Sequence, residues 1–298
     1  MAKATIGPFA IATVMASDPV NAADAYKRYL GYKDLGSGTI PVAWSSIWAT
    51  PAMAGRRYAM VQAESGNGAI LRFVEGTPPA TYRPFLTYGW NALEILAKDV
   101  DKLPDKLKGS PFEIIGLPRN LYPSGSIRAM QTRGLAQEMV YLTQINEAKE
   151  TDYLPKAKSF VDHLFIVILG SQDFDLSRAF YSRCFNVEHG DVHVMRVTGL
   201  NVAFGLDIET KHRLSVIKLA EKANIELDDF PRGAVYRELN RGELPPGIGM
   251  LSFFVDSLDK CPTPFRALPA KVDGGPYGGK RVAVVVGSAG EWIELIER

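Results

Sequence analysis

The sequence predicts an α+β protein made of two similar halves, and three observations carry that expectation. A strand-turn-helix block occurs early and again after the midpoint, and an apolar strand carrying a lone Glu closes both halves. No Gly-rich phosphate loop links a strand to a capped helix. Helices interleaved with hairpin-connected strands therefore fit layered α+β domains better than a doubly wound parallel sheet. The 298 residues leave room for two domains of roughly 150 residues each.

The first block is FAIATVMASDPVNAADAYKRYLGY, residues 9–32, and the second is HLFIVILGSQDFDLSRAFYSRCFNV, residues 163–187. Each reads as an apolar strand, an Asp/Ser turn and a short amphipathic helix, with Tyr26 superposed on Tyr181. In the first helix Ala22, Ala25, Tyr26 and Tyr29 share a face, and Gly31 supplies the stop. In the second, Leu176, Ala179, Phe180 and Arg183 take the same spacing, and Asp173 or Asp175 caps the start. NALEILAKDVDKL (91–103) pairs with MLSFFVDSLDK (250–260), each a strand running into an Asp-rich helix start. At the ends, GLAQEMVYL (134–142) pairs with GEWIELIER (290–298), which sets Glu138 against Glu294. Residues 145–159 are polar, carry Pro155 and read as a linker. The expected layout is a domain over 1–144, that linker, and a second domain over 160–298 with an insertion at 210–246. In the insertion, HRLSVIKLAEKA has helical spacing, and the whole suggests a lid or dimer contact. GGPYGG (274–279) is followed by a strand rather than a capped helix, so it reads as a loop.

Composition removes several function classes. The hydrophobic fraction of 46% and charged fraction of 22% are those of packed globular chains. Thirty-four basic against 33 acidic residues leave no electrostatic footprint for nucleic acid. The N-terminal apolar run reads as a strand, and no stretch approaches the roughly 20 apolar residues that cross a bilayer. Cys184 and Cys261 lack metal or redox spacing, which suits reduced thiols in a cytoplasmic protein.

AYKRYLGY, AFYSRCFNV, GSAGEWIEL and, more loosely, GLAQEM resemble motifs of the vicinal oxygen chelate superfamily. That group includes glyoxalase I, bleomycin and fosfomycin resistance proteins and extradiol dioxygenases. The resemblance runs over nearly the whole chain, twice. It implies two tandem glyoxalase-like domains, each a pair of βαβββ modules curled into a cupped mixed sheet. It also implies metal ligands on the first strand of a domain, on the strand opening its second half and on its last strand, with a fourth-strand ligand in some members. In the second domain those places fall on His163, near Gly249 or Met250, on Glu294 and near Gly205. In the first domain they fall on Phe9, Ala92, Glu138 and Arg72, so the first site is largely lost.

The expected chemistry therefore sits in the second half, where all four histidines lie within fifty residues: His163, His189, His193 and His212. His163 and Glu294 are the expected catalytic and metal-ligating pair, with His193 or His189 as a substitute third ligand. The alternatives are a satisfied His at a strand start, an edge-strand Glu facing water and a solvated loop. Arg72 and Glu138, isolated in apolar strands, are read either as an ion pair filling a vacated site or as binding an anionic substrate. Tyr122 and Tyr277 stand in corresponding loops, where a Tyr orients or protonates an oxygenated substrate, or simply packs. The expected function is a metal-assisted isomerase, lyase or dioxygenase acting on a small oxygenated organic molecule. The divalent ion is Fe, Mn, Zn or Ni if one binds. The alternatives are a metal-free binding protein using Trp44, Trp48 and Trp90, or an acid–base enzyme without metal. No nucleic-acid or membrane partner is expected, and a homodimer is compatible with the sequence.

Overall fold

A computed structural model describes residues 3–298. Four strand-rich modules follow one another. The first holds β1 (Ile6–Ala16), α1 (Pro19–Ala25), β2 (Lys33–Thr39), α2 (Val42–Ile47), β3 (Arg57–Gln62) and β4 (Ile70–Glu75). The second holds β5 (Gly89–Ala97), α3 (Leu103–Lys106), β6 (Glu113–Asn120), β7 (Ile127–Arg133) and β8 (Met139–Ile145). The third holds β9 (Val161–Ser171), α4 (Phe174–Cys184), β10 (Glu188–His189), β11 (His193–Arg196), α5 (Thr198–Phe204), β12 (Lys211–Lys218) and β13 (Asn224–Asp229). The fourth holds β14 (Ile248–Val255), β15 (Ala270–Val272), β16 (Lys280–Val286) and β17 (Trp292–Glu297). The α+β class and the four-module layout match the sequence expectation, with a 3₁₀ turn at Leu258–Lys260 standing in the fourth module where a helix is expected. No described helix is long and apolar enough to cross a membrane.

Which modules share a sheet differs from the order along the chain. One sheet runs β15-β16-β17-β14-β1-β4-β3-β2, joining the first module to the fourth; the other runs β10-β12-β13-β9-β5-β8-β7-β6, joining the second to the third. The halves 1–144 and 160–298 thus each give one module to each sheet. Every module opens with a long strand that is apolar on both faces, so hydrophobic pattern alone does not select its partner. The selection is made by antiparallel pairing of β1 with β14 and of β9 with β5.

The two sheets share a large core. Phe9, Val14, Leu251, Phe253 and Leu295 of one meet Leu93, Ile95, Val167 and Leu169 of the other in a single buried cluster. Two buried Tyr–Glu contacts tie modules together across it. Tyr26 donates to Glu138 at 2.9 Å and Tyr181 donates to Glu291 at 3.1 Å. Both Glu residues close the same turn: the N–H of Ala136 binds Glu138 and that of Ala289 binds Glu291, each at 2.9 Å. Gln137 (φ 61°) and Gly290 (φ 79°) take the matching left-handed position. The true counterpart of Glu138 is therefore Glu291, not Glu294; the repeat is Gly-x-Ala-x-Glu at 134–138 and 287–291.

Local expectations fare unevenly. Asp173 caps α4 through the Leu176 N–H at 2.9 Å, and Gly31 (φ 76°) ends the first helix after a π-helical turn. The buried face of α4 is Phe174, Ser177, Phe180, Tyr181 and Cys184, leaving Leu176 exposed. Residues 146–160 connect β8 to β9, with one short 3₁₀ turn at Lys149–Thr151. HRLSVIKLAEKA is not a helix: it forms β12 and a 3₁₀ turn, because Leu214, Val216 and their neighbours pair with β13 in the sheet interior. Within 210–246, residues 211–218 and 224–229 are sheet strands joined by a 3₁₀ turn, and 230–246 runs outside the sheet. Its Arg237 is bonded to the carbonyls of Trp90, Pro246 and Ile248, which makes it a strap between sheets rather than a free lid.

Candidate functional site

Each sheet curls into a cup, and register identifies four floor positions in each. In the first cup Thr13 faces Arg72 across β1/β4, and Ser252 faces Glu294 across β14/β17. In the second, Ile168 faces Glu226 across β9/β13, and Glu94 faces Tyr141 across β5/β8. These are the places where the family resemblance puts ligands. Arg72 and Glu294 were assigned to such positions from sequence; Glu94, Glu226 and Tyr141 were not.

The first cup is filled. Trp44 from α2, Trp48 just beyond it, Tyr277 and Trp292 pack over the floor with Met15 and Met250. Arg72 and Glu294 are both fully buried. Glu294 Oε1 accepts from the Trp48 indole at 2.6 Å and the Tyr277 hydroxyl at 2.7 Å. Its Oε2 accepts from the Ser252 hydroxyl and from Arg72, the latter at 3.5 Å. The Arg72 guanidinium also donates to Thr13 at 2.8 Å and to Tyr277 at 2.7 Å, and lies 4.6 Å from the Trp48 ring centroid. Nothing in this group is left unpaired, and the cationic place beside Glu294 is taken by Arg72. Such a floor does not fit a metal ion, since a second cation would sit against the guanidinium.

The second cup is open. A cavity of about 540 Å³ is lined by Glu94, Glu226, Tyr141, Tyr122 and His193. An apolar lobe of about 440 Å³, with Phe85, Met130, Met139 and Val202, shares Arg119 and Gln131 with it. The difference in filling comes from the excursion between strands. Where α2 and the residue after it insert Trp44 and Trp48, α5 inserts Leu200 and presents Thr198, Gly199 and Ala203 to the cavity.

The floor of this cup is acidic. Glu94 is buried and accepts the Thr143 hydroxyl at 2.6 Å. Burial, then the neighbouring Glu226, push its pKa up to about 8, against the smaller opposing effect of Thr143. Burial raises Glu226 to about 7. Asp228, on the same face of β13, is raised by burial and then by Glu226 and Asp229, and its Oδ1 is buried without a partner. Burial and then these three carboxyls push the Tyr141 hydroxyl well above its ordinary range. None of Glu94, Glu226 and Asp228 makes an ion pair among the described residues, the opposite of the first cup.

The structure does not bring His163 and Glu294 together. His163 lies on β9 in the second sheet, against Gly68 and beside Asp162, whereas Glu294 is enclosed in the first cup. Arg72 does not pair with Glu138 either. The expectation of opposite charges filling a lost site holds, but the partner is Glu294, because the first cup borrows its second module from the far end of the chain. Tyr277 is buried in the first cup, while Tyr122 is exposed at the mouth of the second. His193 is also at that mouth; His189 bonds Ser182, and His212 bonds Asn201 at 2.6 Å. Trp44 and Trp48 fill the first cup, and Trp90 donates to the Trp292 carbonyl at 2.8 Å in the core, so none of the three lines the open cavity of the second cup. Both cysteines are free. The signal that was available for the second cup is a Glu in each of two apolar strands, NALEILA and NIELDD.

No family model and no curated protein matches the sequence. Solved structures do match over its full length. Glyoxalase I from Zea mays superposes with a TM-score of 0.64 at 14% identity, covering 97% of this chain and 92% of that one. A putative dioxygenase from Bacillus subtilis superposes with a TM-score of 0.65 at 10% identity, covering 99% and 86%. The chain therefore has the vicinal oxygen chelate fold in its tandem form.

Proposed function

We propose that the second cup binds a small oxygenated organic molecule and moves a proton on it, with Glu94 and Glu226 as the acid–base pair. The observation that supports this most is the pairing of two carboxyls, raised to about 8 and about 7, on the floor of an open cavity. Near neutral pH such a pair holds one proton between two sites, ready to accept at one oxygen and donate from the other. Because the groups interact, the protons leave in steps that belong to the pair. Tyr141 supplies a hydroxyl beside both, and Tyr122 and His193 contact the substrate at the mouth. The apolar lobe at Phe85 and Met139 takes the hydrocarbon part.

Related folds commonly use a divalent metal, and the donor set bears on that. Glu94 and Glu226 are hard oxygen donors with the unpartnered Asp228 Oδ1 nearby, but the first-strand position is Ile168 and no imidazole reaches the floor. Among the described residues no three His, Cys, Asp or Glu side chains form a metal-binding group. This set does not complete the three-ligand shell of catalytic zinc or of the two-His-one-carboxylate iron site. The proton transfer is therefore derived from the carboxyls alone.

The test is solvent deuterium incorporation into a panel of small carbonyl compounds and hydroxy acids, followed by proton NMR. Wild type is expected to exchange a C–H proton of at least one member, and Glu226→Gln to lose about 10²-fold or more of that rate. Unchanged exchange in both Glu94→Gln and Glu226→Gln refutes the assignment. Tight binding with no exchange in wild type favours the metal-free binding protein instead.

A further inference from the structure

A second pocket lies away from both cup floors, where β1, β9 and the connections 146–160 and 219–223 meet. It has a volume of about 340 Å³ and is lined by Lys156, Lys158, Lys222, His163, Asn67 and Glu221. None of the three lysines makes an ion pair with a carboxylate among the described residues. Lys156 Nζ donates to the Asn146 carbonyl at 2.8 Å and the Thr151 hydroxyl at 3.2 Å; Lys222 Nζ donates to the Asp152 carbonyl at 2.9 Å. These neutral acceptors position the ammonium groups without cancelling their charge. The nearby acids are already engaged. Glu221 faces Arg298 at 3.3 Å, and Asp162 is enclosed by the Ser65 hydroxyl and the Lys158 N–H.

His163 is held in place at the pocket wall. A Cβ added to Gly68 would fall 2.4 Å from the His163 Cβ, so only glycine lets the ring seat there; the His163 Nδ1, 3.4 Å from Asp162 Oδ1, is buried with no hydrogen-bond partner among the described residues. On the facing rim, Glu221 (φ 60°) and Lys222 (φ 61°) are consecutive non-glycine residues in the left-handed region, a conformation that costs energy and is kept where surrounding structure enforces it.

We infer that this pocket is an anion site, taking a phosphate or sulfate group, free or esterified to a small molecule. Three ammonium groups around one small concavity supply charge-assisted donors from several directions, and the His163 ring adds a further nitrogen. The inference does not depend on the chemistry proposed for the second cup.

The test is calorimetric titration of the full chain with inorganic phosphate, inorganic sulfate and methyl phosphate. Saturable one-to-one binding is expected. Lys158→Met and Lys222→Met should each weaken it about tenfold. Lys271→Met, on the distant edge strand β15, should leave it unchanged. Lys158 is exposed and its side chain makes no hydrogen bond in the structure, so that variant reports on binding even if others unfold. Stronger binding of inorganic phosphate than of methyl phosphate assigns the pocket to the free ion, and the reverse assigns it to a phosphate ester. No saturable binding of any of the three anions by wild type overturns the inference. So does an affinity that Lys158→Met and Lys222→Met both leave intact.

Discussion

The two cups share backbone plan and register yet solve opposite electrostatic problems. In the first, Arg72 and Glu294 neutralise one another beneath two tryptophans, with Tyr277, Ser252 and Thr13 satisfying the remaining donors and acceptors. In the second, the same four positions carry Ile168, Glu226, Glu94 and Tyr141, leaving negative charge uncompensated beneath an open cavity. One floor is finished by the protein alone; the other is finished only when something else arrives or a proton binds. That contrast is what supports the proposal that the second cup is the working one, because buried carboxyls without a cationic partner are costly and concentrate at functional sites.

The largest expected effect breaks the finished floor. Arg72→Ala leaves Glu294 buried without its cationic partner and should destabilise the chain by about 3–5 kcal/mol, measured by urea unfolding. Glu294→Gln alongside Arg72→Met, which removes both charges, should recover much of that loss. A cost below about 1 kcal/mol for Arg72→Ala would mean that the pair is not holding the first cup together.

Next in size is the opposite result in the second cup. A carboxyl whose pKa is higher in the folded chain than in the unfolded one binds more protons when folded. Its contribution to stability therefore falls as pH rises from the ordinary carboxylate range towards its folded value. For Glu94 that window runs up to about 8. Glu94→Gln should accordingly gain stability over wild type as pH rises, reaching on the order of 2–4 kcal/mol at the upper end. Parallel melting curves for the two proteins across that window would contradict the assignment of a buried Glu94 without a cationic partner.

Much of this was legible in the sequence, and the limits have physical causes. The α+β class and the four modules follow from strand-helix order, and Arg72 and Glu294 announce themselves as single charges inside apolar strands. What failed was the pairing of modules, since β1, β5, β9 and β14 are all apolar on both faces and give no instruction about their neighbour. That failure carried into the site: with halves assumed to be self-contained, Arg72 was matched to Glu138 and Glu294 to His163. The closing strands also offer two registers three residues apart. Setting GLAQE against GEWIE hid the GLAQE/GSAGE match, which would have made Glu138 and Glu291 the structural pair and set Tyr141 opposite Glu294. His163 misled because its strand-start position fits a ligand by count along the chain, while the floor of its own strand is reached only at Ile168. Residues 211–218 misled because their apolar spacing satisfies a short helix as well as a strand.

The smallest effect tests the equivalence on which the comparison of cups rests. If Glu138 and Glu291 occupy matching turns, the tyrosines that reach them are matched as well. Tyr26→Phe and Tyr181→Phe should then cost similar amounts, about 1–2 kcal/mol each, because either change takes one donor from a buried carboxyl that keeps its backbone donor. Burial raises both Glu138 and Glu291 to about 7 despite the opposing hydrogen bonds. Losing the Tyr donor should raise each further, so both variants should fall behind wild type more at alkaline pH than at acid pH. Unfolding measured for the two variants across pH decides the matter. Equal losses with the same pH trend support the repeat register, whereas a large cost for one and none for the other would show that the two turns are alike in outline only, and the floor positions would have to be compared without them.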